Sequence, residues 1–223
     1  MTDEPRLPQT LDGLWQGLDP PGRTALTALA AEAEARDVAL FAVGGVVRDL
    51  LRSPRDGPRI SDLDLAVEGD PGPLLDALAR ATAIRPTRHD RFGTATLRLG
   101  GVRIDLARTR RERYPRPGAL PVVRSATIGE DLARRDFSVN AIALGLCGPR
   151  RAALLDPFGG RRDLERGLIR ALHDRSFRDD PTRVIRACRY AARIDARLAP
   201  GAGARARAAL PQLRALGGAR FGE

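Results

Sequence analysis

Asp62 and Asp64 stand two apart in the stretch ISDLDLAVEG, residues 60–69. Ile60, Leu63, Leu65 and Val67 are strand formers, and Gly69 ends the run. On a strand the two acids share one face while Leu63 and Leu65 take the other. Their Cα atoms then lie roughly 7 Å apart, which at an effective dielectric near 20 means repulsion on the order of 2 kcal/mol. Acids are common on a solvent-facing strand edge, and that is the plain account of the pair. The chemical account is a divalent-cation site. Hard oxygen ligands on one face suit Mg²⁺, which binds through one or two carboxylates plus substrate phosphates and would remove the repulsion. Asp105 lies in a second apolar strand, VRIDLA (102–107). Beside the first strand it would make a third carboxylate on the sheet surface. Two metals about 4 Å apart can activate an attacking hydroxyl and stabilise a leaving phosphate oxygen.

Three other constellations could serve such chemistry. GGVVRD (44–49) places a glycine pair between a strand and a helix. Gly44 and Gly45 would let backbone approach a ligand, the helix N-terminus would face an anion, and Arg48 could hold a phosphate. RRDFSVNA (134–141) reads as helical, with Asp136 and Asn140 four apart on one face. Arg135 is a candidate for phosphate or base contact, and Asp136 or Asn140 for a sugar hydroxyl; a surface salt bridge near a helix end is the alternative. In DDPTRVIRACR (179–189), Asp180 before Pro181 is a natural helix cap. Asp180 and Arg183, three apart, also offer an acceptor beside a donor. Cytosine and adenine present an amine donor next to a ring-nitrogen acceptor, so both would be accepted, while uracil and guanine would be refused. Each such contact discriminates by about 1–3 kcal/mol. Arg186 and Arg189 continue a basic stripe suited to a triphosphate or an RNA backbone. His89 and His173 fall in surface or loop segments and are not candidates for catalysis.

These residues need elements to position them. Residues 1–21, with several Pro and Gly, read as a loosely ordered N-terminus. Residues 24–37 read as an Ala-rich helix, 38–43 as a buried strand, 44–52 as a helix and 71–81 as a helix with Pro near its start. Residues 94–107 read as a hairpin around Gly100–Gly101, and 109–123 as a polar, Pro-rich loop. Residues 129–146 read as helical with one break, 156–167 as a turn and short helix, 179–198 as a long helix, and a further helix runs to about Leu216. The expected fold class is α+β, with a domain of mixed sheet and flanking helices over 22–150 and an all-helical region over 151–223.

Composition narrows the partners. The chain of 223 residues carries a net charge of +10, and all its basic residues are Arg, as a GC-rich genome would favour. Residues 1–110 hold 15 Arg against 16 acids, whereas 111–223 hold 23 against 12. That asymmetry points to a polyanion, with nucleic acid first. No apolar stretch approaches the roughly 20 residues of a membrane span, and the polar N-terminus is no signal peptide. Cys147 and Cys188 make no disulfide framework and fit core thiols in a reducing, cytoplasmic setting.

Taken in order, GGVVRD, DLD, RRDFSVNA and DDPTRVIRACRYAARI resemble the motifs of class II tRNA nucleotidyltransferases (CCA-adding enzymes) and the related bacterial poly(A) polymerases, over about residues 38–198. The resemblance implies a polymerase-β-like nucleotidyltransferase head followed by a helical neck. It implies that Asp62 and Asp64 bind catalytic Mg²⁺ and that Gly45, Arg48 and Arg135 contact nucleotide. It further implies that Asp180 and Arg183 select CTP and ATP without a nucleic-acid template, with Arg186 and Arg189 beside them. Asp179 stands where the family usually has Glu, and Thr182 where it has Leu. Family members usually carry further helical body and tail domains that hold tRNA, so the chain is expected to be a fragment or a minimal version. The segment RTRRERYPRPGALPVV is similar to a flexible loop needed for A addition. The expected activity is addition of CMP, AMP or both to the 3′ end of tRNA. A poly(A) polymerase and a nucleotide- or RNA-binding module without turnover are the alternatives.

Overall fold

The computed structural model describes residues 7–53, 59–89, 93–115, 118 and 121–214. Its centre is a seven-stranded mixed sheet in the order β3-β4-β5-β2-β1-β8-β9. The strands are β1 (Ala39–Val43), β2 (Asp62–Glu68), β3 (Thr87–His89), β4 (Thr94–Leu99), β5 (Val102–Arg108), β8 (Ala143–Gly145) and β9 (Leu154–Leu155). Only β2 and β5 pair in parallel, with Asp64 opposite Asp105. The alternation along β2 is as the sequence predicts: Asp62 and Asp64 are exposed on one face, and Leu63 and Leu65 are buried on the other.

The Leu63 face carries the larger core. Helices α1 (Pro8–Gly17), α2 (Pro20–Ala35), α3 (Gly45–Arg52) and α4 (Gly72–Thr82) bury Leu14, Leu26, Leu50 and Leu74 against it. This corrects the expectation of a loosely ordered N-terminus. Pro8 opens α1 and Pro20 opens α2, positions where proline fits a helix, and Leu11, Leu14 and Leu18 are each at most 2% exposed. The prolines punctuate two packed helices instead of loosening the chain. Asp19 caps α2 through Gly22 N (2.8 Å), and its other oxygen accepts Gly101 N (2.9 Å) in the β4–β5 turn. Gly100 there has φ +58°, and a Cβ on it would lie 2.4 Å from the Asp19 carboxylate. Residues 1–6 lie outside the described residues, as do 54–58 of the loop before β2.

On the other face, Phe41, Val43 and Ala66 pack beneath α5 (Ile128–Ala133), with Ala143 and Leu155. The polar loop expected over 109–123 starts and ends as a two-stranded hairpin, β6 (Arg110–Arg113) and β7 (Val122–Ser125). The segment 129–146, expected to be helical, breaks into three pieces: α5, one 3₁₀ turn at Ser138–Asn140, and β8. Ala141, Ile142, Ala143 and Leu144 are all fully buried, and burial on both faces favours a central strand over a one-sided helix.

The helical region follows: α6 (Gly160–Glu165), α7 (Ser176–Asp179), α8 (Arg183–Ile194), α9 (Ala202–Ala208) and α10 (Leu210–Arg214). A short parallel pair, β10 (Leu168–Ile169) and β11 (Arg197–Leu198), runs within it. The helix expected over 179–198 is shorter. Asp180 is extended, α8 starts at Arg183, and Asp195 ends it in a left-handed conformation. The two regions interlock across residue 150: β9 extends the sheet at β8, while Phe137 and Val139 sit in the core of the helical region with Phe177 and Ala187. Cys147 is buried and Cys188 is exposed on α8.

Candidate active site

The end of β1, the start of β2, β5, the β6–β7 hairpin, α5 and the start of α8 enclose a cleft of about 680 Å³. Asp64 and Asp105 lie in its floor with Gly44 and Gly45 beside them; Arg135, Asp136 and Asn140 form one wall and Asp180, Arg183 and Arg186 another. A smaller cavity of about 210 Å³ lies alongside, lined by Arg59, Ser61, Asp62, Asp49 and Arg193. The two share Gly45, Asp64 and Tyr190. Asp64 therefore stands where the two cavities meet, with Asp62 in the smaller one.

Asp64 keeps solvent contact, but the cleft walls around it strip enough water to push its carboxyl up from its ordinary range, and Asp105 and Asp62 add to this against the pull of Arg135 and Arg103. The Asp62 carboxylate takes the Ser61 hydroxyl at 2.7 Å. Asp105 is in register beside Asp64, but its carboxylate is engaged by Thr96 Oγ1 (2.5 Å) and by Arg103 (2.8 Å). Among the described residues no group of three or more His, Cys, Asp or Glu side chains converges as a metal site requires. Asp62 and Asp64 remain the candidate donor pair, with Asp105 an adjacent, already partnered charge.

Gly44 turns the chain from β1 into α3 with φ +72°. A Cβ there would stand 3.0 Å from Nη1 of Arg135 and 3.7 Å from the Asp64 carboxylate, so glycine lets the guanidinium reach over the strand end. Arg135 is held by Asp131 (3.0 Å), and its Nε is buried without a hydrogen-bond partner.

Arg48 departs from expectation. Its side chain is only 2% exposed, and it is bound to Asp49 (2.8 and 3.0 Å) and to Asn140 Oδ1 (2.8 Å). It lies beneath Gly45, supporting the site instead of facing the larger cleft. Asn140 in turn donates to Asp136 Oδ1 (3.1 Å), and Asp136 Oδ2 accepts from Arg186 (2.8 and 2.7 Å). The sequence paired Asp136 with Asn140 on a helix face. The structure keeps the pairing through a 3₁₀ turn and spends it on joining α3 to α8.

Asp180 caps the chain before α8: its Oδ1 accepts Thr182 N (3.1 Å) and Thr182 Oγ1 (2.7 Å). Its Oδ2 faces Arg183 Nε at 3.9 Å, beyond hydrogen-bond length. Arg183 is fixed by Ser176 Oγ (2.7 Å) and the Arg134 carbonyl (2.8 Å). One oxygen of Asp180 thus holds the turn that leads into α8, whose own N-cap is Thr182, and the other lies beside the guanidinium of a residue that lines the cleft. Arg189 is exposed and does not line the cleft.

A second set of residues was not singled out in the sequence. Glu112, 6% exposed, accepts from Arg110, Arg134 (2.9 Å) and Tyr114 OH (3.0 Å). Burial, reinforced by Glu112, pushes the Tyr114 hydroxyl up to about 12. Asp131 accepts from Arg134, Arg135 and Arg110 N. Its burial opposes ionisation, but Arg135 and Arg134 outweigh it and hold the carboxyl below its ordinary range. Together these residues tie the β6–β7 hairpin to α5 and, through the Arg134 carbonyl, to Arg183. The alternation of Arg110 and Glu112 in RTRRERY was the available strand signal.

Comparison with known proteins finds similar sequences and structures. The sequence profile of the poly A polymerase head domain matches residues 40–170. An A-adding tRNA nucleotidyltransferase of Halalkalibacterium halodurans is 45% identical over 159 residues, 71% of this chain and 36% of that protein. A CC-adding tRNA nucleotidyltransferase of Deinococcus radiodurans is 44% identical over 194 residues, 86% of this chain and 50% of that protein. A solved Thermotoga maritima CCA-adding enzyme complexed with tRNA superposes with a TM-score of 0.79 at 34% identity, covering 99% of this chain and 49% of that one. The chain thus spans half or less of the length of these relatives. With that profile matching more than half of the sequence, the chain belongs to the poly A polymerase head-domain family.

Proposed function

We propose that the chain is the catalytic part of a template-independent RNA nucleotidyltransferase that adds CMP, AMP or both to the 3′ end of tRNA. The observation that carries this reading is the position of Asp62 and Asp64 on one strand face, with Asp64 at the junction of two cavities and Asp62 in the smaller of them. The two carboxylates fit a divalent cation: they are hard oxygen donors, and a cation would offset the repulsion from Asp105 and Asp62 that helps raise the Asp64 carboxyl. Mg²⁺ suits that donor set, and when bound it supplies charge neutralisation for the triphosphate and the acceptor hydroxyl.

The chain's own residues then divide the work. Gly44 and Arg135 admit and hold phosphate over the end of β1. Asp180 Oδ2 accepts from the amine of cytosine or adenine, and Arg183 donates to the adjacent ring nitrogen. The 3′-hydroxyl of the acceptor gives its proton to solvent water as its oxygen bonds to the α-phosphorus, while the bond to pyrophosphate breaks and the leaving charge remains among the arginines. The β6–β7 hairpin places Arg110, Glu112 and Tyr114 on the wall of the same cleft. Its likeness to the loop needed for A addition supports AMP as a substrate.

The test offers tRNA ending before, within and just short of CCA, with labelled CTP or ATP supplied separately in Mg²⁺. Incorporation of one to three nucleotides supports the reading, and a long A tail replaces it with poly(A) polymerase. No incorporation on any acceptor refutes turnover and leaves a binding module.

A further inference from the structure

Tyr190 lies on α8 and, with Gly45 and Asp64, belongs to the wall that both cavities share. Its ring has three guanidinium groups around it. The central carbons of Arg48, Arg186 and Arg189 lie 5.3, 5.5 and 5.7 Å from the ring centroid, within the range of cation–π attraction. Phe137 packs against it edge-on at 5.9 Å and fixes the ring plane. The hydroxyl takes Arg186 Nη2 at 3.2 Å.

Three like charges gathered in a half-buried place repel one another, and the carboxylates nearby do not serve them equally. Asp49 serves Arg48 and Asp136 serves Arg186, while Arg189 has no carboxylate partner within an ion pair among the described residues. The ring's electron-rich faces are the one element common to all three.

We infer that Tyr190 is a positioning residue for nucleotide binding: its ring holds Arg186 at the mouth of the larger cleft and, through Arg48, keeps Gly45 and the β1–α3 turn in place. This rests on the nucleotidyltransferase reading for its ligand, since a nucleotide is what Arg186 would meet. It follows that the ring matters and the hydroxyl is secondary. It follows too that losing the ring is felt by the nucleotide more than by the acceptor, because Arg186 lines only the larger cleft.

The experiment compares Tyr190→Leu, Tyr190→Phe and Tyr190→Trp with the wild-type chain. The measurements are calorimetric Kd for CTP and ATP and, with an RNA acceptor, separate KM values for nucleotide and acceptor. Tyr190→Leu is expected to raise nucleotide Kd and KM about tenfold with acceptor KM within about twofold. Tyr190→Phe and Tyr190→Trp are expected to stay within about threefold of wild type. Wild-type nucleotide affinity in Tyr190→Leu overturns the inference, as does an equal rise in both KM values. If Tyr190→Leu does not fold, a tenfold loss in Tyr190→Phe overturns it, because the hydroxyl would then carry the effect. Failure of the transferase reading shows separately, as wild-type protein that binds nucleotide without incorporating it.

Discussion

Gly44 and Arg135 meet closely: a methyl group on Gly44 would stand 3.0 Å from the Arg135 guanidinium, which would have to give way slightly. The backbone there also has φ +72° and ψ −129°, a conformation that side chains other than hydrogen rarely allow. Gly44→Ala is therefore expected to destabilise the fold by about 1–3 kcal/mol and to displace Arg135. Thermal melts and nucleotide incorporation measured on the same preparation check both effects. A variant with unchanged melting and unchanged nucleotide KM would show that the close approach is unimportant.

Asp62→Ala and Asp64→Asn are expected to cut incorporation about a thousandfold or more, the equivalent of roughly 4 kcal/mol of transition-state stabilisation. Neither should unfold the protein, since both side chains are exposed on the sheet. Added Mg²⁺ should raise the melting temperature of wild type and leave that of the two variants unmoved. Chelation should abolish wild-type turnover. Full activity in Asp62→Ala would remove the metal assignment.

Asp180 has two oxygens with separate tasks, and one substitution divides them. Asp180→Asn retains an oxygen for Thr182 but puts an amide donor where Oδ2 faces the cleft. The preference for CTP and ATP over UTP and GTP is expected to fall by about 10- to 100-fold, the range of one to two paired contacts. Stability should stay near wild type. An unchanged preference would reduce Asp180 to a cap.

Asp131 is the buried acid between Arg134 and Arg135, and its side chain is 2% exposed. Asp131→Asn leaves two guanidinium groups short of a partner and is expected to cost about 3 kcal/mol in urea unfolding at neutral pH. The carboxyl is held below its ordinary value of 3.8 in the folded chain. Its contribution is thus present above 3.8 and disappears as pH falls through the lower folded value. The gap between variant and wild type should narrow below that point. A gap that persists unchanged in acid would mean the effect is packing, not charge.

Much of this site was legible because its signals are local. Alternation alone places Asp62 and Asp64 on one face of β2, and an apolar strand carrying one acid brings Asp105 beside them. The glycine pair marks the β1–α3 turn. What could not be read was where long arginine side chains go. Arg48 looks like a phosphate ligand by spacing, yet Asn140, 92 residues away, pulls it inside, and no pattern near residue 48 encodes that contact. Segment 129–146 misled for a related reason. Its apolar residues satisfy a helical period, and only burial on both sides of Ile142 and Leu144 makes a strand the better answer. Prolines near the N-terminus read as loosening elements, yet Pro8 and Pro20 open helices whose leucines complete the core.

The exposure of Cys188 and the burial of Cys147 give the protein a single accessible thiol, two residues before Tyr190 and one before Arg189. A fluorophore or spin label attached by maleimide chemistry would report from the edge of the arginine cluster with no engineered substitution. Because the 223 residues include no lysine, amine-directed reagents would leave their side chains untouched while a maleimide reaches Cys188.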